Sequence, residues 1–118
     1  MRIWMIFLLG ACGAQSTDAA DDAGVASCTR KLPSCPSQAP SYATQIQPII
    51  QSSCVTCHYS GNPSSRFDFS TYSAVNANRG PMLTQVYSCA MPPPDAGALS
   101  SDEREALMTW LVCGAPNN

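Results

Sequence analysis

Residues 42–58 read YATQIQPIIQSSCVTCH. Tyr42, Ile46, Ile49 and Ile50 recur at helical spacing and run directly into Cys54 and Cys57, which predicts a first helix presenting one apolar face and both thiols. Pro48 has no amide proton to give, which is harmless only in the first turn of a helix, so the helix starts late or kinks near it. Cys54-Val55-Thr56-Cys57-His58 fits C-x-x-C-H, the attachment signature of c-type haem. The spacing has a mechanical reason. Two thiols three residues apart lie on nearly the same side of a helical turn, where both reach the vinyl groups of a porphyrin, and the histidine that follows swings under the ring to ligate iron.

A bare C-x-x-C also occurs in dithiol redox sites and in zinc sites. Dithiol chemistry of the thioredoxin kind expects a strand before the pair and a helix after it; here a helix precedes and a Gly61-Asn62-Pro63 turn follows. A structural zinc site needs a second close pair of ligands, yet His58 is the sole histidine and no other cysteines share this spacing. The lone histidine also removes bis-histidine ligation within one chain. Lys31, the only lysine, precedes the motif, which leaves the thioethers of Met82, Met91 and Met108 as sixth ligands. Met91 stands in Cys89-Ala90-Met91-Pro92-Pro93-Pro94, where the prolines fix φ and favour a stiff polyproline loop. Met82, after Gly80-Pro81, competes with it, and Met108 falls inside a helix where packing explains it.

The chain has 118 residues, 45% hydrophobic and 12% charged, enough for one small domain. A formal charge of −2 without a basic cluster argues against nucleic acid as a partner. The longest apolar run, Ile3 to Leu9, is too short to span a bilayer. It follows Met1-Arg2 and ends in Gly10-Ala11-Cys12, an export-signal layout. Leu9-Gly10-Ala11-Cys12 resembles the lipobox of bacterial lipoproteins, which implies a signal peptide over 1–11, cleavage before Cys12 and lipid on that cysteine. Residues 12–27, small and polar with Asp18, Asp21 and Asp22, then form a flexible tether. The folded domain is expected over 28–118.

From Tyr42 to Pro116 the chain resembles the class I cytochromes c, in particular small single-haem bacterial modules, often lipid-anchored. The resemblance rests on Ile46-Gln47-Pro48-Ile49, Cys54 to His58, Met91-Pro92-Pro93, Leu99-Ser100 and Trp110-Leu111. It implies an all-α class I cytochrome c fold wrapped around one covalent haem c, with Cys54 and Cys57 as thioether attachment sites, His58 as proximal ligand and Met91 as distal ligand. In that family the terminal helices cross beside the haem. The four additional cysteines depart from the plain pattern.

Ser100-Ser101-Asp102-Glu103 reads as a capping box with Ser100 at the N-cap, followed by an apolar stripe of Leu107, Trp110 and Leu111 and a stop at Gly114 and Pro116. Phe67, Phe69 and Tyr72 are expected around the porphyrin, with a short helix from Ser70 or Thr71 to about Asn76. Arg66 and Arg79 are candidates to hydrogen-bond haem propionates. Cys28, Cys35, Cys89 and Cys113 are expected in disulfides, since the export signal points to an oxidising compartment; chain proximity favours Cys28–Cys35 and Cys89–Cys113.

A His/Met-ligated iron has no open position for substrate, and thioether ligation raises the potential. The expected function is therefore electron transfer, not enzymatic catalysis: a periplasm-facing, membrane-anchored one-electron carrier in the bacterial cell envelope, monomeric or part of a redox complex, with redox proteins as partners. The alternatives are a haem subunit of a larger periplasmic oxidoreductase complex, or a peroxidase-like enzyme or sensor with a labile sixth ligand. Weak charge implies little long-range steering and docking through a small apolar patch. Replacing Cys12 by Ala is expected to move the protein from the membrane to the soluble periplasmic fraction, as followed by immunoblot of fractionated cells.

Overall fold

The computed structural model describes residues 28–118. A π-helical turn over Tyr42–Ile46 leads into α1 (Gln47–Ser53); α2 (Tyr72–Ala77), α3 (Arg79–Tyr87), a 3-10 turn (Pro94–Ala96) and α4 (Ser101–Val112) follow, with no strand among the described residues. The domain is all-helical, and no helix among the described residues is long and apolar enough to cross a membrane. The expected lipidation site Cys12, the expected signal over 1–11 and the whole of the expected 12–27 tether lie outside the described residues.

Pro48 explains the wide turn before α1. It sits at the second position of α1, where its missing amide proton costs nothing, and the chain enters through a π turn whose loose backbone absorbs the change of pitch. The amides at that entry are satisfied from far along the chain. Tyr42 N–H donates to Asn118 Oδ1 over 2.8 Å and Ala43 N–H to the Asn118 carbonyl over 3.0 Å, while Ser41 Oγ accepts from Thr44 N–H.

Asn118 reaches that position because α4 ends sharply. Gly114, at φ 89°, adopts the left-handed conformation that closes a Schellman motif: Gly114 N–H bonds the Leu111 carbonyl and Ala115 N–H the Trp110 carbonyl. Trp110 then donates its indole proton to the Pro116 carbonyl over 2.9 Å. At the other end of α4 the expected capping box is present, with Ser100 Oγ accepting from Glu103 N–H and Glu103 Oε2 accepting from Ser100 N–H.

The core forms where α4 crosses the first turn and α3. Trp110 is fully buried and stacks on Tyr42 with ring centroids 5.4 Å apart, and Tyr42 meets the edge of Tyr72. Ile46, Ile50, Leu107 and Val75 complete the most deeply buried set. Met108 is buried in α4, as packing requires. Tyr72 belongs to this core, where its hydroxyl donates to the Ala115 carbonyl over 2.8 Å, and not to the aromatic group expected around a porphyrin.

Helix α3 was not foreseen as an element. Its signal is Met82 and Val86, buried at i and i+4 behind a proline in the first turn, where proline is tolerated. Its C-terminus forms a second Schellman motif with Cys89, at φ 62°, in the place usually held by glycine: Cys89 N–H bonds the Val86 carbonyl and Ala90 N–H the Gln85 carbonyl.

The disulfides differ from the pairing expected from chain proximity. Cys28 joins Cys89 and Cys35 joins Cys113, with Cα separations of 6.0 and 5.0 Å. Residues 28–36 run without regular secondary structure, and an extended chain advances roughly 3.3 Å per residue, which carries Cys28 and Cys35 apart instead of folding them together. The strap lies across the C-terminal ends of α3 and α4, and each helix end supplies one cysteine. Arg104 seals the junction from α4: its guanidinium donates to the carbonyls of Val86, Tyr87 and Thr29 over 2.8–3.2 Å. Burial lowers its pKa, and the negative end of the α3 dipole with three carbonyls compensates the enclosed charge.

Trp110→Ala removes the largest buried side chain and is expected to lower stability by about 3–5 kcal/mol. Ser100→Ala removes only a cap and is expected to cost about 1 kcal/mol. Guanidinium denaturation of the disulfide-intact proteins checks both the order and the magnitudes.

Candidate functional site

Helix α1 ends at Ser53, and Cys54 N–H still bonds the Ile50 carbonyl, so the C-x-x-C-H segment begins on the last helical turn. His58 N–H bonds the Cys54 carbonyl over 2.8 Å, which curls the motif so that both cysteines and the histidine face one cavity of about 550 Å³. Phe67 and Phe69, stacked with centroids 6.0 Å apart, form part of its wall. Pro81, Met82, Gln85 and Val86 contribute from α3; Met91, Pro92, Pro93, Ala96 and Leu99 contribute from the chain between α3 and α4. The sequence-predicted Cys54, Cys57, His58 and Met91 therefore converge, and Met82 reaches the same cavity.

Met91 is placed by the end of α3. Its amide donates to the Gln85 carbonyl over 3.2 Å as a continuation of the Schellman motif, and Cys89, two residues earlier, is covalently tied to Cys28. The bridge thus does anchor the chain segment bearing Met91, although to the N-terminal strap and not to α4. The expected polyproline conformation is present at Pro93 (φ −58°, ψ 146°), the Met91–Pro92 peptide is cis, and Pro94 opens the 3-10 turn.

His58 is held at backbone and ring. Its carbonyl accepts from Phe69 N–H over 2.8 Å, and its ring lies 4.8 Å from that of Phe69. Nδ1 lies 3.1 Å from the Phe67 carbonyl oxygen. A carbonyl only accepts, so Nδ1 is the donor in this contact. The Ser65 hydroxyl also sits against Nδ1. Neither Ser65 nor the Phe67 carbonyl was singled out in the sequence; the hydroxyl seven residues beyond the histidine is the one legible trace.

The two candidate arginines separate. Arg66 is on the cavity wall, whereas Arg79 donates to the carbonyl and side chain of Asn76 and is not among the lining residues. The two motif cysteines also differ. Cys57 is disulfide-bonded, and Cys54 is a free thiol. Burial pushes the Cys54 thiol up to about 11, so it stays protonated at neutral pH. This is opposite to the depressed pKa of a reactive dithiol centre. No cluster of three or more histidine, cysteine or acidic side chains suited to a metal ion is present among the described residues.

Comparisons with protein-family models, curated proteins and solved structures found no match to this chain.

In the folded protein, Cys54 is expected to react with iodoacetamide at pH 8 about two orders of magnitude more slowly than an ordinary thiol, and at the ordinary rate once unfolded. The folded pKa lies above the unfolded one, so the associated stability is present below about pH 8.5 and is lost as pH rises toward 11. Peptide mass mapping of the alkylated residue over pH 7–11 checks it.

Proposed function

We propose that this chain is a mono-haem c-type cytochrome of class I fold: a one-electron carrier, held on a membrane by lipid on Cys12 and facing the periplasm. The observation that carries the reading is the convergence on one cavity of Cys54, Cys57 and His58 after α1 with Met91 from the loop after α3. The residues fit the group. Phe67, Phe69, Pro81, Val86 and Leu99 give the cavity an apolar wall suited to a flat macrocycle, and its volume falls within the roughly 300–1,000 Å³ range of cofactor pockets. An imidazole with a bare Nε2 and its other nitrogen bonded to a carbonyl is a well-prepared metal ligand.

In this reading Cys54 and Cys57 hold the haem through thioethers, His58 is the proximal ligand and Met91 the distal one. The bound haem supplies one-electron chemistry between ferric and ferrous iron. The chain's own residues decide how that chemistry is used. The Phe67 carbonyl accepts from Nδ1 and fixes the ring's orientation, while His58 and Met91, both on the cavity wall, would hold the iron and would leave substrate no place on it. The apolar walls exclude water and disfavour the more highly charged oxidised state. Arg66, on the wall, is suited to a propionate. The Cys54 sulfur is already a free thiol. Little net charge leaves docking to a small apolar contact with redox partners, in brief encounters.

The test is expression in a host that attaches haem to exported proteins. Expected are a polypeptide mass increased by one haem and a pyridine haemochrome spectrum of a twice-linked haem c. Met91→Ala should abolish the weak far-red sulfur-to-iron band and lower the potential; an unchanged band transfers the ligand role to Met82. Colourless protein with the mass of the bare lipidated polypeptide overturns the reading.

A further inference from the structure

We propose that Ser65 is a positioning residue for His58, holding the imidazole as its Nδ1-protonated tautomer so that Nε2 stays bare for a metal. The inference rests on the reading of His58 as an iron ligand, but its statement about the ring concerns the polypeptide alone. Ser65 Oγ lies against His58 Nδ1 and donates to the Phe67 carbonyl over 2.8 Å. It also accepts from Phe67 N–H over 3.3 Å. A hydroxyl has one proton to give. With that proton directed at Phe67, the oxygen meets Nδ1 through a lone pair, and the proton between them belongs to the imidazole.

The Phe67 carbonyl, 3.1 Å from the same nitrogen, can also only accept. The Nδ1 proton therefore faces two acceptors that are bonded to each other, an arrangement in which each bond polarises the next. The carbonyl alone holds the proton through one rather long bond; the hydroxyl supplies the second acceptor and fixes the carbonyl's direction. Ser65 is itself held by the motif it serves. Its amide donates to the Asn62 carbonyl over 3.2 Å, and the Asn62 side-chain amide donates to the Cys57 carbonyl. Displacing Ser65 would disturb a closed loop that begins at the second cysteine and returns to the histidine ring. A hydrogen-bonded Nδ1–H also makes Nε2 a stronger donor to a metal.

The experiment uses the full-length, haem-free, ¹⁵N-labelled chain in alkaline buffer, read by long-range ¹H–¹⁵N correlation of the imidazole. His58 is the only histidine, so the signals have one source. The wild-type ring is expected in the Nδ1–H form. Ser65→Ala should shift the tautomer ratio toward Nε2–H by about two- to tenfold, the worth of one neutral hydrogen bond, and Ser65→Thr should restore it. On the haem-loaded chain, Ser65→Ala should raise the reduction potential and Ser65→Thr return it, because a poorer donor stabilises ferric iron less. A wild-type ring mainly protonated on Nε2 overturns the proposal without recourse to any variant. So does a Ser65→Ala protein with a lowered melting point but an unchanged tautomer ratio, the result a purely structural role gives. A chain that takes up no haem defeats the proposed function, and the tautomer ratio still decides the role of Ser65.

Discussion

The geometry around the cavity depends on the contact between the Tyr42–Ile46 turn and α4, centred on Trp110. Its indole stacks on Tyr42 and donates to the Pro116 carbonyl, and that second bond turns the chain back so that Asn118 meets the amides of Tyr42 and Ala43. The first helical turn and the last described residue thus satisfy each other's polar groups above a shared apolar contact. Helix α1 leaves this junction carrying Cys54, Cys57 and His58 at its far end, while α4 leaves it to pack on α3, which brings Met82 and the Met91 loop. Without the junction the two groups of side chains have no fixed relation.

Where the sequence carried a local physical signal, the structure was legible. Ser100 and Glu103 announce their capping box, Gly114 its stop, and Ser70 or Thr71 the start of α2, which the structure caps with Thr71, because each acts on backbone within a few residues. Pro48 announced a disturbed entry, although not its π-helical form. The candidate ligands were legible as residue types at a spacing, and the cavity collects Cys54, Cys57, His58 and Met91 together. The pairing of the outer cysteines was not legible, because it depends on where an irregular strap lies across two helix ends, which no local preference encodes. Helix α3 was obscured because glycine and proline are poor helix formers in general, yet Gly80 and Pro81 occupy its first turn. The Ser65–Phe67 arrangement was hidden for a further reason: one of its acceptors is a backbone carbonyl, and any residue type at 67 supplies one.

The observed pairing does more than the expected one. Bridges closing 61- and 78-residue separations restrict the unfolded chain more than a seven-residue loop does, and the chain-entropy argument assigns each about 4 kcal/mol. A small domain enclosing a cavity of about 550 Å³ has little core to spare, so constraint from outside the core matters here. Both bridges fall at Schellman-type helix ends. Cys89 occupies a left-handed position that an L-residue adopts at some cost, and the covalent link opposes relaxation of that backbone.

Cys28 is also the point at which mechanical load would enter the described domain from its N-terminal side. Tension along the polypeptide meets the Cys28–Cys89 bond first and is delivered to the end of α3, two residues from Met91, with the Cys35–Cys113 bond behind it at the end of α4. Peeling the strap away one hydrogen bond at a time is therefore blocked at two covalent stops. Force applied from that direction would be carried around the hydrophobic interior, into the two helix ends, before it reached the π turn at Tyr42.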